Sequence, residues 1–189
     1  MNDVRIRPIA DADWPALAAL EERTYAGLGL CEGEAALRSR ARVSPATCTV
    51  LDRAGDLVGY LLALPYPPYH SPDLSRAQTA SAAVPSRNLH LHDLVVAPEH
   101  RGAGLARRLL RHLTAAARGA GYEQISLVAV AGSAPFWAGH GYRPHPEVPL
   151  PDSYGADAVY MSAPVPGRTP TPGRAGDARP GTPVTDEVG

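Results

Sequence analysis

The sequence predicts a mixed α/β (α+β) fold built as one domain over residues 1–163. Strand-like and helix-like stretches alternate along this part of the chain. Two apolar runs flank the short segment Arg53-Ala54-Gly55-Asp56, which predicts an early β-hairpin. Further along, an amphipathic helix lies between two apolar strands, as in a βαβ unit. These patterns indicate one sheet with helices packed on it.

The first half of the chain divides into strands and two helices. A short β-prone segment, Val4–Arg7, precedes a helix that Asp11 or Asp13 can cap. The first helix has helical spacing of its apolar positions Trp14, Leu17, Ala18, Leu20 and Tyr25. A second helix is predicted over Glu34–Val43, and the hairpin strands over Thr47–Asp52 and Leu57–Leu64.

The second half holds a long loop and the βαβ unit. Pro65–Arg87 is too rich in proline for a strand or helix, so it is a lid, a binding loop or a plain surface excursion. The βαβ unit consists of a strand over Asn88–Val96, a turn over 97–103, a helix from Gly104 to about Arg118 and a strand over Gln124–Val130. A short helix over 133–140 and closing strands over 142–143 and 158–162 complete the domain.

Composition changes after Ala163. Residues 164–189 are rich in proline and glycine and contain no aromatic residue. Such a segment cannot bury enough apolar surface to offset its ordering entropy. We therefore expect a disordered tail after the folded domain.

The basic residues are all arginine, because the 18 Lys+Arg positions include no lysine. P-loop phosphate binding and Schiff-base chemistry both need a lysine amine, so both classes of enzyme are excluded. The net charge of −1 provides no global positive field to hold nucleic acid or an anionic membrane, and neither partner is expected. Any anionic ligand must be bound locally.

The cysteines and the N-terminal stretch bear on the cellular compartment. Cys31 and Cys48 lack the spacing of a metal or redox site, and no metal is expected. The N-terminal stretch is polar and charged, and no run approaches the roughly 20 apolar residues of a membrane span. We expect free thiols in a reducing cytoplasm.

A glycine-containing turn leads into the helix of the βαβ unit. It reads Arg101-Gly102-Ala103-Gly104-Leu105-Ala106-Arg107. Small residues let the backbone approach a ligand closely, and the free amides at the helix start attract an anion. A dinucleotide-binding fingerprint would need a third glycine where Arg107 stands. The turn therefore predicts a phosphate site built without lysine.

This turn resembles the Arg/Gln-x-x-Gly-x-Gly/Ala signature of the GNAT superfamily of acyl-CoA-dependent N-acyltransferases. The preceding strand ends Asp93-Leu94-Val95-Val96 and is followed by Pro98, as in that family. Two further segments resemble its short helix and closing motif, namely Ser133-Ala134-Pro135-Phe136-Trp137 and His140-Gly141-Tyr142. The resemblance, which extends from residue 3 to residue 163, implies a mostly antiparallel central sheet that is splayed at the strand binding CoA.

The resemblance also implies acetyl-CoA as co-substrate. The amides of Gly102–Arg107 would hold its pyrophosphate, and Leu94–Val96 would offer backbone groups to the pantetheine arm. The amide of Val95 or Val96 would polarise the thioester carbonyl. The binding residues implied in this way are Leu94, Val95, Val96, Arg101, Gly102, Ala103, Gly104, Leu105, Ala106 and Arg107.

Acyl transfer to an amine needs a base, because an alkyl amine with a pKa near 10 is mostly protonated at neutral pH. Several family members carry a carboxylate base just before the aspartate of a similar Glu-Asp-Leu sequence, and His92 stands at that position. We predict that His92 is the base, with His90 as a relay. Asp93 is the competing base, or it holds a loop by accepting backbone amides. Strand alternation places His90, His92 and Leu94 on one face and Leu91, Asp93 and Val95 on the other.

The sequence departs from the family at the group that protonates the leaving thiolate. Many members place a tyrosine in the short helix, whereas the matching pair here is Phe136-Trp137, and an indole cannot serve as that acid. Tyr142 is expected to pack in the core, and Ser133 to cap the short helix. An acidic group near the first two helices, interpreted as a solvated helix end, comprises Glu21, Glu22, Glu32 and Glu34.

The leading functional hypothesis is transfer of an acetyl group from acetyl-CoA to a primary amine of a small molecule, by direct attack in a ternary complex. A protein or peptide N-acetyltransferase is the close alternative, and a catalytically silent acyl-CoA-binding module is the third hypothesis. The sequence leaves open the identity of the amine, the acyl-chain preference and the oligomeric state, a homodimer included.

Overall fold

A computed structural model describes residues 4–76 and 86–167 of the chain. Its strands are β1 Val4–Pro8, β2 Thr49–Arg53, β3 Asp56–Pro65, β4 Asn88–Val96, β5 Gln124–Ala129, β6 Arg143–Pro144 and β7 Val159–Pro164. Its α-helices are α1 Trp14–Tyr25, α2 Glu34–Val43, α3 Leu105–Gly119 and α4 Ala134–Ala138. The predicted tail beyond residue 167 and the middle of the predicted long loop, residues 77–85, lie outside the described residues.

The strands form one seven-stranded sheet in the order β1-β2-β3-β4-β5-β7-β6. Each neighbouring pair is antiparallel except β4 and β5, which are parallel and are joined through α3 as the βαβ pattern predicted. The β2–β3 hairpin turns at Ala54 and Gly55, where both residues have positive φ. The mixed, mostly antiparallel sheet predicted from the sequence is confirmed.

The sheet divides between β4 and β5. These strands pair only at Asn88–Gln124, Leu89–Ile125 and His90–Ser126, although β4 continues to Val96. Among the described residues, the second half of β4 therefore has β3 on one side and no strand on the other. This parting is the predicted splay, and it exposes a stretch of strand edge inside the fold.

A β-bulge at His92 changes the faces of β4. Asp93 pairs with Leu62 and Leu91 pairs with the next residue, Ala63, so His92 has no partner of its own on β3. The prediction that His92 and Asp93 lie on opposite faces is therefore wrong. Both side chains turn towards α1 and α2, where His92 contacts Glu32 and Asp93 contacts Tyr25. The extra residue interrupts the period of two on which the prediction depended.

The two faces of the sheet carry separate apolar cores. On one face, Leu109 and Leu113 of α3 pack with Leu91 of β4 and Leu127 of β5. On the other face, Trp14, Leu17 and Leu20 of α1 and Leu37 of α2 pack with Val50, Tyr60, Leu62 and Val95. Val165 is 1% exposed and belongs to the first core, so packing continues past the end of β7. Helices on both faces thereby hold β4 in the middle of the molecule.

The start of α1 differs from the predicted side-chain cap. Asp13 occupies the residue before the helix, but its carboxylate accepts the Ala10 amide at 2.7 Å and two Arg7 nitrogens at 2.6 and 2.9 Å. Arg7 also donates to Asp52 on β2 at 2.8 Å. The carboxylate thus ties the helix start to β1 and β2 instead of capping helix amides.

Gly59 on β3 provides a test of this packing. A Cβ placed there would lie 2.7 Å from the Val95 carbonyl oxygen and 2.8 Å from Leu51 Cδ1. We expect Gly59→Ala to lower the free energy of unfolding by about 1–3 kcal/mol, because backbone of β4 must shift. Urea unfolding measures the change. Gly119→Ala, where a Cβ meets nothing within 4 Å, serves as the control. A Gly59→Ala midpoint equal to that of the control would contradict the close approach.

Candidate active site

One cavity of about 810 Å³ follows the exposed edge of β4. It extends from the start of α3 to the loop between α1 and α2, and residues of α4 also line it. Both predicted catalytic residues, His92 and Asp93, line it. The predicted binding residues that also line it are Leu94, Val95, Val96, Arg101, Gly102, Gly104, Leu105, Ala106 and Arg107, whereas Ala103 does not.

The α3 end of the cavity is formed by a glycine-containing turn and the first turn of the helix. Gly102 and Gly104 have φ values of 80° and 74°, which favour glycine, and they bring the backbone into the start of α3. The helix begins at Leu105, and its first hydrogen bond runs from the Arg108 amide to the Gly104 carbonyl at 3.0 Å. The amides of the preceding first-turn residues therefore have no partner within the helix. These amides form the positive end of the helix dipole, on the side of the helix that lines the cavity.

The edge of β4 presents its own backbone groups to the cavity. The Ala97 amide donates to Val58 on β3 at 3.0 Å, so alternation directs the amides of Leu94 and Val96 away from β3 and into the gap. Val95, by the same alternation, hydrogen-bonds towards β3. Of the two amides considered for the thioester carbonyl, that of Val96 therefore faces the gap. Arg101 Nε donates to the Val96 carbonyl at 3.2 Å and links the turn to this edge.

His92 lies at the middle of the cavity in a chain of buried charged groups. Its side chain is 1% exposed, and Nε2 pairs with Glu32 Oε1. Arg40 Nε donates to the other oxygen of Glu32 at 2.8 Å, and a second nitrogen of the same guanidinium contacts that oxygen as well. His92 Nδ1 is buried without a hydrogen-bond partner. Arg40 was not predicted as a site residue, because nothing local in the sequence connects it to His92.

Asp93 is held by tyrosines instead of by the backbone amides that were predicted. Tyr25 Oη donates to Asp93 Oδ1 at 2.8 Å, and Tyr60 Oη donates to Oδ2. Burial raises the pKa of Asp93, although the two tyrosine hydroxyls and His92 oppose that shift. Both oxygens are engaged, so Asp93 connects α1 to the sheet.

The acidic group is only partly the solvated helix end that was predicted. Glu21 is 2% exposed, and its Oε1 accepts the Glu32 amide at 2.6 Å. Burial raises the pKa of Glu21. Burial also opposes ionisation of Glu32, but His92 and Arg40 outweigh it and lower the Glu32 pKa. Glu21 and Glu32 line the cavity with Asp93, so this end is acidic.

His90 lies next to the site and differs from the predicted relay. Its Nδ1 pairs with Ser126 Oγ at 3.0 Å, and its ring centroid is 6.4 Å from that of His92. Because His92 uses Nε2 for Glu32 and its Nδ1 has no partner, the two rings share no hydrogen bond. Desolvation, together with the nearby His92 and Arg40, holds the pKa of His90 well below its usual value.

Two ordered loops cover the acidic end of the cavity, and we call residues 72–76 and 153–154 the roof. Tyr154 Oη donates to the Pro72 carbonyl at 2.7 Å, and Ser153 Oγ donates to Asp73 at 3.0 Å. Arg40 donates to the carbonyls of Asp73 and Arg76 at 3.1 and 3.2 Å. Leu74 and Tyr154 of the roof line the cavity. The described part of the predicted long loop thus contributes to the site.

The short helix α4 also lines the cavity. Trp137 lines the cavity, and its Nε1 donates to Ser133 Oγ at 3.2 Å, so Ser133 supports the indole and does not cap a helix amide as predicted. Tyr142 is 6% exposed and packs edge-on against Trp137, which confirms its expected core position. His140 lines the cavity and places Nδ1 2.8 Å from the Phe136 carbonyl.

Neither a metal centre nor a membrane segment is found in the described parts of the chain. Within residues 4–76 and 86–167, no three His, Cys, Asp or Glu side chains are grouped to bind a metal ion. Over the same residues, no helix has the length and apolarity needed to cross a bilayer.

Residues 14–142 match the Acetyltransferase (GNAT) family. This range includes the anion-binding start of α3, the parted strand β4 and the buried His92. The chain belongs to the GNAT family. No curated protein matches this GNAT chain at the level of sequence.

Solved structures with the same fold include several GNAT proteins. The GNAT-like decarboxylase GphF in complex with isobutyryl-CoA is 25% identical, with a TM-score of 0.70 over 85% of this chain and 99% of that one. The loading GNATL domain of CurA from Lyngbya majuscula is 18% identical, with a TM-score of 0.70 over 87% and 98%. Ard1 from Thermoplasma volcanium is 18% identical, with a TM-score of 0.66 over 86% and 97%.

The burial of His90 predicts a pH effect on stability. Its pKa is lowered in the fold, so below its ordinary value of about 6.5 the unfolded chain binds a proton that the folded chain does not. This contribution therefore destabilises the protein as the pH falls below that value. Between about pH 5 and 6.5, we expect His90→Gln to reduce the slope of unfolding free energy against pH by up to about 1.4 kcal/mol per unit.

Urea unfolding across this pH range measures the slope. His112→Gln, at an exposed position on α3, is the matched control and should keep the wild-type slope. Equal slopes for wild type and His90→Gln would contradict the prediction, because they would show that protonation of His90 does not change the free energy of unfolding.

Proposed function

We propose that this GNAT protein transfers an acetyl group from acetyl-CoA to a primary amine of a small molecule, by direct attack in a ternary complex. One observation carries the proposal: a single cavity joins the anion site at the start of α3, the free edge of β4 and the buried imidazole of His92. These are the parts needed to hold a phosphorylated thioester, polarise its carbonyl and deprotonate an amine.

The α3 end suits the CoA portion of the co-substrate. First-turn amides from Leu105 to Arg107 would receive the pyrophosphate, with Arg107 as a charged donor at the cavity wall. The gap-facing groups of Val96 would pair with the pantetheine arm as an added strand does. The gap-facing amide of Leu94 lies closer to His92 than those of Val95 and Val96, and it would stabilise the oxyanion that forms on the thioester carbonyl. GphF, which holds isobutyryl-CoA, supports an acyl-CoA in a cavity of this fold.

The acidic end suits a cationic amine. Glu21, Glu32 and Asp93 line it, whereas the arginines among the lining residues, Arg101 and Arg107, lie at the α3 end. An ammonium group is therefore attracted to the side of the cavity that holds His92. The amine must lose a proton before it attacks, and His92 would accept that proton.

The reaction needs only groups that are already present. His92 first passes the ammonium proton on to solvent. The neutral amine nitrogen then forms a bond to the thioester carbon, His92 takes the second proton from that nitrogen, and the C–S bond breaks to release the CoA thiolate. A thiol has a pKa near 8.5, so its thiolate can leave without an acid and take a proton from solvent. This step requires no tyrosine at the position of Trp137.

The roof favours a small acceptor over a folded protein. Leu74 and Tyr154 cover the acidic end and are tied down by the bonds to Pro72, Asp73 and Arg76. A peptide would need an open groove across this end, which the roof occupies. A small amine needs only the part of the cavity beneath the roof.

The likeness to GphF raises decarboxylation as a second candidate reaction. A carboxyacyl-CoA would place its carboxylate near Glu21, Glu32 and Asp93, where like charges repel it. Arg40, the nearest guanidinium to His92, is already paired with Glu32 and is 1% exposed. The charges of the acceptor end therefore favour an amine over a carboxylated acyl group.

A turnover assay on the full chain tests the function. At neutral pH, we expect thiol release from acetyl-CoA in the presence of small cationic amines. We expect none when a carboxylate or a peptide is the acceptor. Mass spectrometry of the products checks that the acyl group reaches the amine. Binding of CoA in calorimetry without turnover on any amine would favour the silent module. Carbon dioxide release from malonyl-CoA, a carboxyacyl probe, would favour decarboxylation.

Replacement of His92 tests the base. We expect His92→Gln to lower kcat by about 10²–10⁴-fold, because the positioned proton acceptor is lost, while the Kd for CoA stays unchanged. Steady-state kinetics and calorimetry measure the two quantities. Asp93→Asn is the comparison for the competing base: full activity in His92→Gln with loss in Asp93→Asn would assign the proton to Asp93 instead.

A further inference from the structure

Glu32 and Arg40 extend the site beyond the base. Glu32 lies in the segment before α2 and contacts His92 of β4. Arg40 lies on α2 and contacts Glu32. We propose that Glu32 is a positioning residue that fixes the tautomer of His92, so that Nδ1 is the atom that accepts the proton of the amine. This inference rests on the proposed function and names the reacting atom in it.

Glu32 is held as a carboxylate. Both of its oxygens are occupied, Oε1 by His92 and Oε2 by Arg40, and its side chain is 5% exposed. The guanidinium is permanently charged, so it compensates a buried negative charge next to it. A carboxylate has no proton to donate, so the bond between Glu32 and His92 must be made by the Nε2 proton of the imidazole.

This bond leaves Nδ1 with the free lone pair. In a neutral imidazole one nitrogen carries the proton and the other is an acceptor, so a protonated Nε2 makes Nδ1 the acceptor. Nδ1 is buried and has no hydrogen-bond partner, and His92 lines the cavity. An unpartnered acceptor in a buried side chain is costly unless a ligand supplies the donor. An amine N–H in the cavity is such a donor.

The carboxylates around the cavity are less suited to accept the proton. Glu32 uses both oxygens, Asp93 accepts two tyrosine hydroxyls, and Glu21 Oε1 accepts the Glu32 amide. Transfer to Nδ1 instead produces an imidazolium whose other N–H already points at a carboxylate. The positive charge formed on His92 is thus stabilised by Glu32 as it appears.

Titratable groups reach this part of the site from several elements. They are Glu21, Tyr25 from α1, Glu32 before α2, Arg40 from α2, Tyr60 from β3, His90 and Asp93 from β4, and Tyr154 from the roof. Of these, Glu32 is the carboxylate in direct contact with His92. Its removal should therefore change the pH dependence of activity more than removal of a more distant charge.

Nitrogen NMR of the full chain tests the tautomer without a substrate. In protein labelled with ¹⁵N-histidine, we expect His92 in its neutral form to show a protonated Nε2 and an unprotonated, pyridine-type Nδ1. His92→Gln identifies the signals by their loss. A protonated Nδ1 in the wild type would overturn the inference, and this measurement does not depend on catalytic activity.

Kinetics of Glu32→Gln test the role in turnover. We expect kcat to fall by about 10–100-fold, the KM for acetyl-CoA to stay unchanged, and the acid limb of the kcat profile to move to lower pH, because the imidazolium loses its anion. Glu32→Asp, which keeps the charge, should restore part of kcat and the wild-type limb. Glu34→Gln, which removes a carboxylate paired with Arg38 on the surface of α2, is the control.

The outcomes separate the two proposals. Activity lost in His92→Gln but unchanged in size and pH profile in Glu32→Gln overturns the role of Glu32 alone. Activity unchanged in His92→Gln overturns the proposed base, and the NMR tautomer then still decides whether Glu32 orients the ring. Thermal unfolding of each variant shows whether a loss of activity comes from loss of the fold.

Discussion

The extra residue in β4 at His92 is the constraint on which the site depends. A regular strand would place His92 and Asp93 on opposite faces, and only one of them could meet α1 and α2. The bulge turns both to the same face, and it lies just after the last pair between β4 and β5. A bulge bends its strand and increases the local twist, which agrees with the separation of β4 from β5 at this point. The bulge thereby accounts both for the free edge of β4 and for the shared direction of the His92 and Asp93 side chains.

From that point the cavity is polarised along its length. The start of α3 offers backbone amides and the positive end of a helix dipole, whereas the other end is lined by Glu21, Glu32 and Asp93. In the proposed function, an anionic cofactor and a cationic acceptor would bind at opposite ends of this cavity and meet near His92. Binding phosphate by backbone groups is also consistent with a chain whose 18 basic residues include no lysine.

Local patterns in the sequence were sufficient to predict the elements and the glycine-containing turn at the start of α3. Both β4 and α2 begin and end at the predicted residues, because continuous apolar or helical periodicity defines them. The glycines of the turn at 102 and 104 identified the helix start for a similar reason: their positive φ is a local requirement.

The rest of the site depends on contacts that are distant along the chain. Glu32 and His92 are 60 positions apart, so their pairing has no trace in either local sequence. The burial of Glu21 was also not predicted, because a charged residue in a helix is usually solvated. Its burial depends on the loop after α1, where the Glu32 amide donates to it. The bulge was missed because a hydrophobic pattern with a period of two gives no sign of one inserted residue.

The several bonds of Arg40 carry a thermodynamic consequence. A free arginine side chain has high rotamer entropy, and fixing it costs on the order of 2 kcal/mol. Here a single ordering of that side chain serves the carboxylate beside His92 and also the carbonyls of Asp73 and Arg76 in the roof. The roof and the carboxylate beside His92 are therefore held by the same ordered side chain. Disorder in the roof would also weaken the contact between Glu32 and His92.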